Sequence, residues 1–376
     1  MRWKRWAAVP MCLALLLCFA DGPAVSAAPA ISSLSAVVYE PESGLILYEK
    51  DARTARPMAS TTKLMTALLA VENLDPNETV AVPAAALPVE GSQIGLKAGE
   101  QITVRDLLAG LLLASGNDTA NALALLMDDS LPAFAERMNR RALTLGMTDS
   151  RFVTPSGLDE NGHSASARDM ALLGAAVLRQ PLLAELCASK AEPITVGGIT
   201  MTVSNHNKLL KLYDGTIGLK TGFTKKAGRC LVSAVEREGV TLVVATLNGG
   251  DYWNDHIALY EYAFSLVHRE KMPDVSSDSC PVAGGVVQTV KIAPEDIPAC
   301  VMREGESVTT RVLLPDFVWA PIAVGDVLGY VRYTAGEREL ATVPIRATES
   351  VAERELPPLH VLWWRWLCML GDTLLK

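Results

Sequence analysis

The apolar positions of this 376-residue chain change their period along its length. Ala36-Val-Val-Tyr39 and Leu45-Ile-Leu-Tyr48 flank Glu40-Pro-Glu-Ser-Gly44, which predicts a β-hairpin across a Pro/Gly turn. A helical pattern follows, with Leu64, Met65, Leu68 and Leu69 at the spacing of one buried face. Its start is placed at Ser60, after the extended entry Arg56-Pro57, with Ser60, Thr61 and Thr62 as candidate caps. Residues 80–88 read as irregular chain or strand. Thr103 caps a helix that runs apolar to Leu113 and stops at Ala114-Ser-Gly-Asn117; another begins at Asp118. Residues 132–145 and 167–178 are further helices, the second introduced by Ser164-Ala-Ser166. From about residue 195 strands dominate: 217–221, then 229–235 and 240–246 joined across Glu236-Arg-Glu-Gly239, before a closing helix at 253–267. Strands at both ends with helices between predict an α+β domain whose terminal strands share one antiparallel sheet.

Past Lys271 the helical pattern vanishes. Asp274-Val-Ser-Ser-Asp-Ser279 reads as a linker, and 286–292, 308–314, 327–333 and 340–345 alternate as strands, the last two joined across Ala335-Gly-Glu-Arg338. A small all-β domain over 280–350 follows, without a chemical motif, which suits a spacer or interaction module. Both chain ends are apolar. Arg2, Lys4 and Arg5 precede an apolar run from Ala7 to Ala20, and Val25-Ser26-Ala27 stands before Ala28, so residues 1–27 read as an export signal. The other end, 357–376, carries Trp363, Trp364 and Trp366 with few charges. Its apolar run, Leu359 to Leu370, is shorter than the ~20 apolar residues a bilayer span needs, and as a helix the segment puts Arg365, Asp372 and Lys376 on one stripe. The expectation is an amphipathic helix lying on a membrane surface. The domain expected to carry chemistry is 28–272.

Charge and cysteines narrow the function. The chain has a formal net charge of −8; without Arg2, Lys4, Arg5 and Asp21 it keeps 31 basic and 41 acidic residues, a net of −10. That excludes a general nucleic-acid binder, and an anionic ligand would have to be captured by a local basic pocket. Five cysteines follow the signal, Cys187, Cys230, Cys280, Cys300 and Cys368, with no Cys-x-x-Cys among them. The odd number leaves at least one unpaired, with Cys280 and Cys300 a candidate pair and Cys187 and Cys230 expected as buried thiols.

Three short motifs occur once each and in order: Ser60-Thr-Thr-Lys63, Ser115-Gly-Asn117 and Lys220-Thr-Gly222. Ser60 with Lys63 one helical turn on has a base within reach and the positive end of a helix dipole behind it. No histidine can be placed beside Ser60 from the motifs, and there is no Gly-x-Ser-x-Gly elbow, so Lys63 is the available base. It must be neutral to act, so its pKa must fall, and burial would lower it.

The set resembles the penicillin-recognising serine peptidases and β-lactamases, and within them the low-molecular-mass D-alanyl-D-alanine carboxypeptidases. The resemblance extends through Gly91-Ser-Gln-Ile-Gly-Leu-Lys-Ala-Gly99, Ser115-Gly-Asn-Asp-Thr-Ala-Asn, Pro155-Ser-Gly-Leu-Asp159 to Ser166-Ala-Arg-Asp-Met-Ala, and Asn205-His-Asn-Lys-Leu-Leu to Lys220-Thr-Gly-Phe-Thr, covering about 35–270. Phe223 departs from relatives that carry His or Tyr there. The resemblance implies a β-lactamase-like antiparallel sheet flanked by helices. It makes Ser60 the nucleophile, Lys63 its base and Ser115 a proton relay. Asn117 would hold the substrate amide, Lys220 and Thr221 the substrate carboxylate. Gly222 would let the substrate backbone pair with the strand edge, and the N–H groups of Ser60 and Phe223 would form the oxyanion hole. The implied substrates are a peptidoglycan pentapeptide and β-lactams, with no metal or organic cofactor. The nearest rival, a class A β-lactamase, needs a Glu-x-x-Leu-Asn motif, and none lies between Asn117 and Lys220. A non-catalytic wall-binding protein would be expected to have lost part of the three motifs.

Overall fold

The computed structural model describes residues 27–87, 89–275, 279–355 and 359–374. The expected export signal therefore lies outside the described residues, except for Ala27. The described residues divide into two compact units: 27–39, 46–236 and 242–266 form the first, and those from Val267 to Leu374, with 40–45 and 237–241, form the second.

In the first unit the elements run β1 (Ser35–Glu40), β2 (Leu45–Lys50), a 3-10 turn (Ala59–Thr62), α1 (Lys63–Asn73), β3 (Thr79–Ala81), β4 (Gln101–Thr103), α2 (Val104–Leu112), α3 (Asn117–Met127), α4 (Leu131–Thr144), α5 (Ala167–Leu178), α6 (Pro181–Ala188), β5 (Ala191–Val196), β6 (Ile199–Ser204), α7 (Leu209–Leu212), β7 (Thr216–Thr224), β8 (Gly228–Arg237), β9 (Val240–Gly249) and α8 (Tyr252–Phe264). Five strands form one sheet in the order β2-β1-β9-β8-β7. The expected meeting of first and last strands is antiparallel, Ser35 opposite Leu247 and Tyr39 opposite Val243. This is the α+β arrangement expected from the periodicity. Leu64, Met65 and Leu68 of α1 are fully buried with Leu107, Leu111, Leu123 and Leu173 of the neighbouring helices, so α1 runs through the middle of the core.

Helix starts are set by side chains where the sequence offers them: Thr103 Oγ1 accepts from Asp106 N at 3.0 Å, and Ser166 Oγ from Asp169 N at 3.1 Å. The start of α1 differs from expectation. None of Ser60, Thr61 and Thr62 caps it; Thr61 Oγ1 donates to Met58 O (2.6 Å) and Thr62 Oγ1 to Ala59 O (2.8 Å), making a 3-10 turn instead. Ser60 thus stands on a tight turn before the helix, not inside it. Residues 180–204 also hold more than the period indicated: α6 begins with Pro181 at its first position, and β5–β6 is a hairpin.

In the second unit β10 (Val267–Lys271) pairs with β13 (Ala299–Arg303). The closing helix therefore ends at Phe264, because residues 267–271 find a distant strand that no local pattern announces. Between them lie β11 (Ser279–Ala283) and β12 (Thr289–Pro294); β14 (Thr309–Leu313), β15 (Val318–Trp319), β16 (Val327–Ala335) and β17 (Arg338–Ala347) follow. The main sheet runs β14-β16-β17-β12-β11-β15 around Val290, Val331, Tyr333 and Ile345. Cys280 and Cys300 both enter this core as free thiols, as Cys187 and Cys230 do in the first unit. A final helix, α9 (Leu359–Leu374), carries exposed Trp363, Trp364 and Trp366. The side chains of Asp372 and Lys376, on which the expected polar stripe depends, lie outside the described residues. Among the described residues no single helix is long and apolar enough to cross a membrane.

Candidate active site

Ser60, Ser115, Thr221, Gly222 and Phe223 line one cleft of about 390 Å3 within the first unit. Lys63 and Asn117 stand behind Ser60, and Lys220 is buried beside the floor. Three elements meet there: the 3-10 turn leading into α1, the turn between α2 and α3, and the edge strand β7.

Lys63 is fully buried. Its Nζ donates to Ser60 Oγ at 2.9 Å, Asn117 Oδ1 at 2.7 Å and Ser156 O at 2.6 Å. Three oxygens converge on one nitrogen, so its direction is fixed toward the serine. Burial holds its pKa well below the ordinary lysine value, and the positive charge of Lys220 pushes the same way, against a smaller opposing pull from Asp118. Lys220 is itself lowered to about 8 by burial. Its Nζ donates to Thr221 O at 2.9 Å.

Asn117 has both amide atoms engaged: Oδ1 on Lys63, and Nδ2 on Glu90 O at 2.5 Å. It holds the lysine in place as the structure stands. Ser115 takes a left-handed backbone conformation (φ 61) on the sharp turn that opens α3. At β7, a Cβ built on Gly222 would lie 2.9 Å from both Met58 O and Ser60 N. Only glycine lets the strand approach the serine turn so closely.

Other residues, without a motif of their own, build the site. Asp118 is fully buried and accepts from the N–H groups of Ile94 (3.1 Å), Gly95 (2.9 Å) and Leu96 (3.2 Å), which holds the 91–96 loop with Ser92 against the cleft. His163 is buried. Its Nδ1 accepts from Val153 N at 2.9 Å, which leaves the proton on Nε2, 2.8 Å from Thr62 Oγ1. Thr62 passes its own proton to Ala59 O, so His163 braces both the 153–157 segment and the residue before Ser60. Ala59 is left-handed (φ 49). Pro155 O accepts from Thr66 Oγ1 (2.6 Å), and a Cβ on Gly157 would stand 1.9 Å from Ala59 O. His206, Lys208, Arg229, Tyr252 and Trp253 complete the cleft wall. Lys208, Arg229 and Lys220 supply the local basic pocket that the acidic chain needs for an anionic ligand. Among the described residues no group of three His, Cys, Asp or Glu is placed to hold a metal ion.

A serine with a buried, pKa-depressed lysine as neighbour, facing a second cation and a strand edge, can attack the carbonyl of an extended chain that ends in a carboxylate. Comparison with known proteins points the same way. A family model described as D-alanyl-D-alanine carboxypeptidase matches residues 23–250, and one described as the C-terminal domain of penicillin-binding protein 5 matches residues 276–353. The chain is similar to D-alanyl-D-alanine carboxypeptidase DacB2 of Mycobacterium tuberculosis, 37% identical over 61% of this chain and 81% of that protein. It is similar to DacF of Bacillus subtilis, 30% identical over 84% and 85%. Among solved structures, penicillin binding protein 5 of Haemophilus influenzae aligns with 86% of this chain and 99% of its own at a TM-score of 0.65 and 26% identity.

Proposed function

The chain belongs to the D-alanyl-D-alanine carboxypeptidase family of serine peptidases, and on that premise we propose how its own residues perform the reaction. The enzyme is a serine-type hydrolase that removes the terminal D-alanine of a peptidoglycan stem peptide. The observation that carries the residue assignment is the buried Lys63 Nζ, 2.9 Å from Ser60 Oγ, with its pKa held down by burial and by Lys220.

In this proposal the substrate lies along β7 with its terminal carboxylate at Thr221 and Lys220. Neutral Lys63 takes the proton of Ser60 as Oγ attacks the penultimate carbonyl carbon. The N–H groups of Ser60 and Phe223 receive the oxyanion, an arrangement that the close approach of Gly222 to Ser60 N supports. Ser115 hands its hydroxyl proton to the amide nitrogen as the C–N bond breaks and D-alanine leaves, and Lys63 returns to Ser115 the proton it took from Ser60, becoming neutral again. Water then attacks the ester carbon as Lys63 accepts its proton; the C–Oγ bond breaks, and Lys63 gives that proton to Ser60 Oγ, which regenerates the enzyme. β-Lactams acylate the same oxygen. Export and attachment of α9 to a membrane surface complete the proposal, supported by the signal-like residues 1–27 and by the exposed tryptophans of α9.

Ser60→Ala should abolish both D-alanine release and covalent labelling by penicillin, with mass spectrometry placing the wild-type adduct on the peptide that contains Ser60. A labelled or active Ser60→Ala protein refutes the nucleophile. Deleting residues 357–376 should move the protein to the soluble fraction, and a truncated form that still sediments with membranes refutes attachment through α9.

A further inference from the structure

Five large apolar side chains of the second unit stand exposed around one short segment, 350–354. Trp319 is 71% exposed, Val324 64%, Val286 55%, Val287 48% and Phe317 47%. The backbone gathers them. Val286 N donates to Ala352 O (2.9 Å), Arg354 N to Gly284 O (2.7 Å), and Ile322 bridges Val351 in antiparallel fashion. Val324 N donates to Ser350 Oγ (3.2 Å). Trp319 pairs in parallel with Ala283, and its ring meets Phe317 edge-on at 5.4 Å. Single exposed apolar residues are ordinary, but five converging on one segment are not.

Segment 350–354 is also where the chain leaves the β domain for α9. Four peptide units separate Glu355 from Leu359, a reach of at most about 14 Å. The segment around which the exposed aromatics of the domain gather is thus joined by a short link to the helix that carries the exposed tryptophans. We propose that this end of the β domain, led by Trp319 and Phe317, is itself a lipid-contacting surface that enters the membrane interface beside α9. Tryptophan and phenylalanine suit that depth, where an apolar ring body meets a wet boundary. The exposed charges alongside include Asp316, Asp326, Glu353, Arg354 and Glu355, net acidic. Attraction therefore comes from apolar burial rather than from anionic headgroups, and contact at this patch is weakened by anionic lipid, the more so at low salt. The inference rests on the membrane attachment of α9 proposed above.

Hydrogen exchange of the full chain, free and on phosphatidylcholine vesicles, tests it. Protection of 284–287 and 317–324 together with 359–374, and no change at 309–313 or 329–333, is the expected result. Phe317→Ser with Trp319→Ser should weaken vesicle partitioning of the full chain about tenfold while leaving D-alanine release intact. Protection confined to 359–374, with the double variant partitioning like wild type, overturns the inference and leaves attachment through α9 standing. Absence of any vesicle binding overturns both. Protection of the patch without vesicles, rising with protein concentration, assigns the surface to a second copy of the chain and also overturns it.

Discussion

At the residue scale, two lysines of opposite duty share one site. Lys63 must be neutral to take a proton, and Lys220 must be charged to hold a carboxylate. Burial lowers both, Lys220 to about 8, and the charge on Lys220 in turn helps keep Lys63 neutral. The pH profile of kcat/KM is therefore expected to be bell-shaped, rising as Lys63 deprotonates and falling near pH 8 as Lys220 does. Lys220→Arg, whose guanidinium stays protonated, should keep part of the activity and move the alkaline limb up by more than one pH unit. An unmoved limb would show that another group sets it. The motif spacing already held Ser60, Lys63 and the need for a depressed pKa. It did not show that Asn117 would be spent on Lys63 and Glu90, because Glu90 O reaches it only through the loop that Asp118 anchors.

At the element scale, the site depends on irregular chain packed against regular chain. The 3-10 turn before α1 is held by hydroxyl bonds from Thr61 and Thr62, by His163, and by the 153–157 segment. Gly157 (φ +84) sits against Ala59 O so tightly that a Cβ there has no room. Gly157→Ala should displace Ala59 and with it Ser60, slowing acylation by fluorescent penicillin by ~10²-fold or more, since a misplacement of about 1 Å has that scale of cost. A wild-type acylation rate would show that this contact does not position the nucleophile. Helices α1 to α5 and α8 and the five-stranded sheet of the first unit were legible from period and caps, because each buries a continuous apolar face, whereas α6 and the β5–β6 hairpin were not. The start of α1 was misread because serine and threonine hydroxyls can bond forward as caps or back to the preceding turn, and local sequence does not choose between them. Strands β10 and β13 stayed hidden for a related reason: Val267-His-Arg-Glu-Lys271 becomes a strand only because a partner from residues 299–303 lies beside it.

At the scale of the whole molecule, two buried neutral histidines link folding to pH. His163 is held down to about 4 and His256 to about 3, each chiefly by burial; His256 lies between Ser233 Oγ (2.7 Å) and Thr246 Oγ1 (2.8 Å). Both folded values lie below the unfolded value of 6.5, so the fold favours the neutral form. Their contribution is complete above pH 6.5 and is lost as pH falls toward 4 and then 3, on the order of 3 kcal/mol for His163. Thermal melts should show the melting temperature falling between pH 6.5 and 4, and His163→Gln should shrink that fall; an unchanged slope would remove His163 from the account. What the sequence by itself determined was the α+β class of the first unit with its main helices and central strands, the three motifs and the kind of chemistry they allow, since these follow from periodicity and residue type along the chain. What only the tertiary structure decided was which main-chain atoms hold Lys63 and its neighbours Asn117, Thr62 and Asp118 in place. Glu90, Ser156, Ala59 and the N–H groups of 94–96 act through carbonyls and amides, which every residue possesses, so no side chain marks them in advance. Burial is likewise a property of the packed chain: the same Lys63, exposed, would be an ordinary charged lysine beside an ordinary serine.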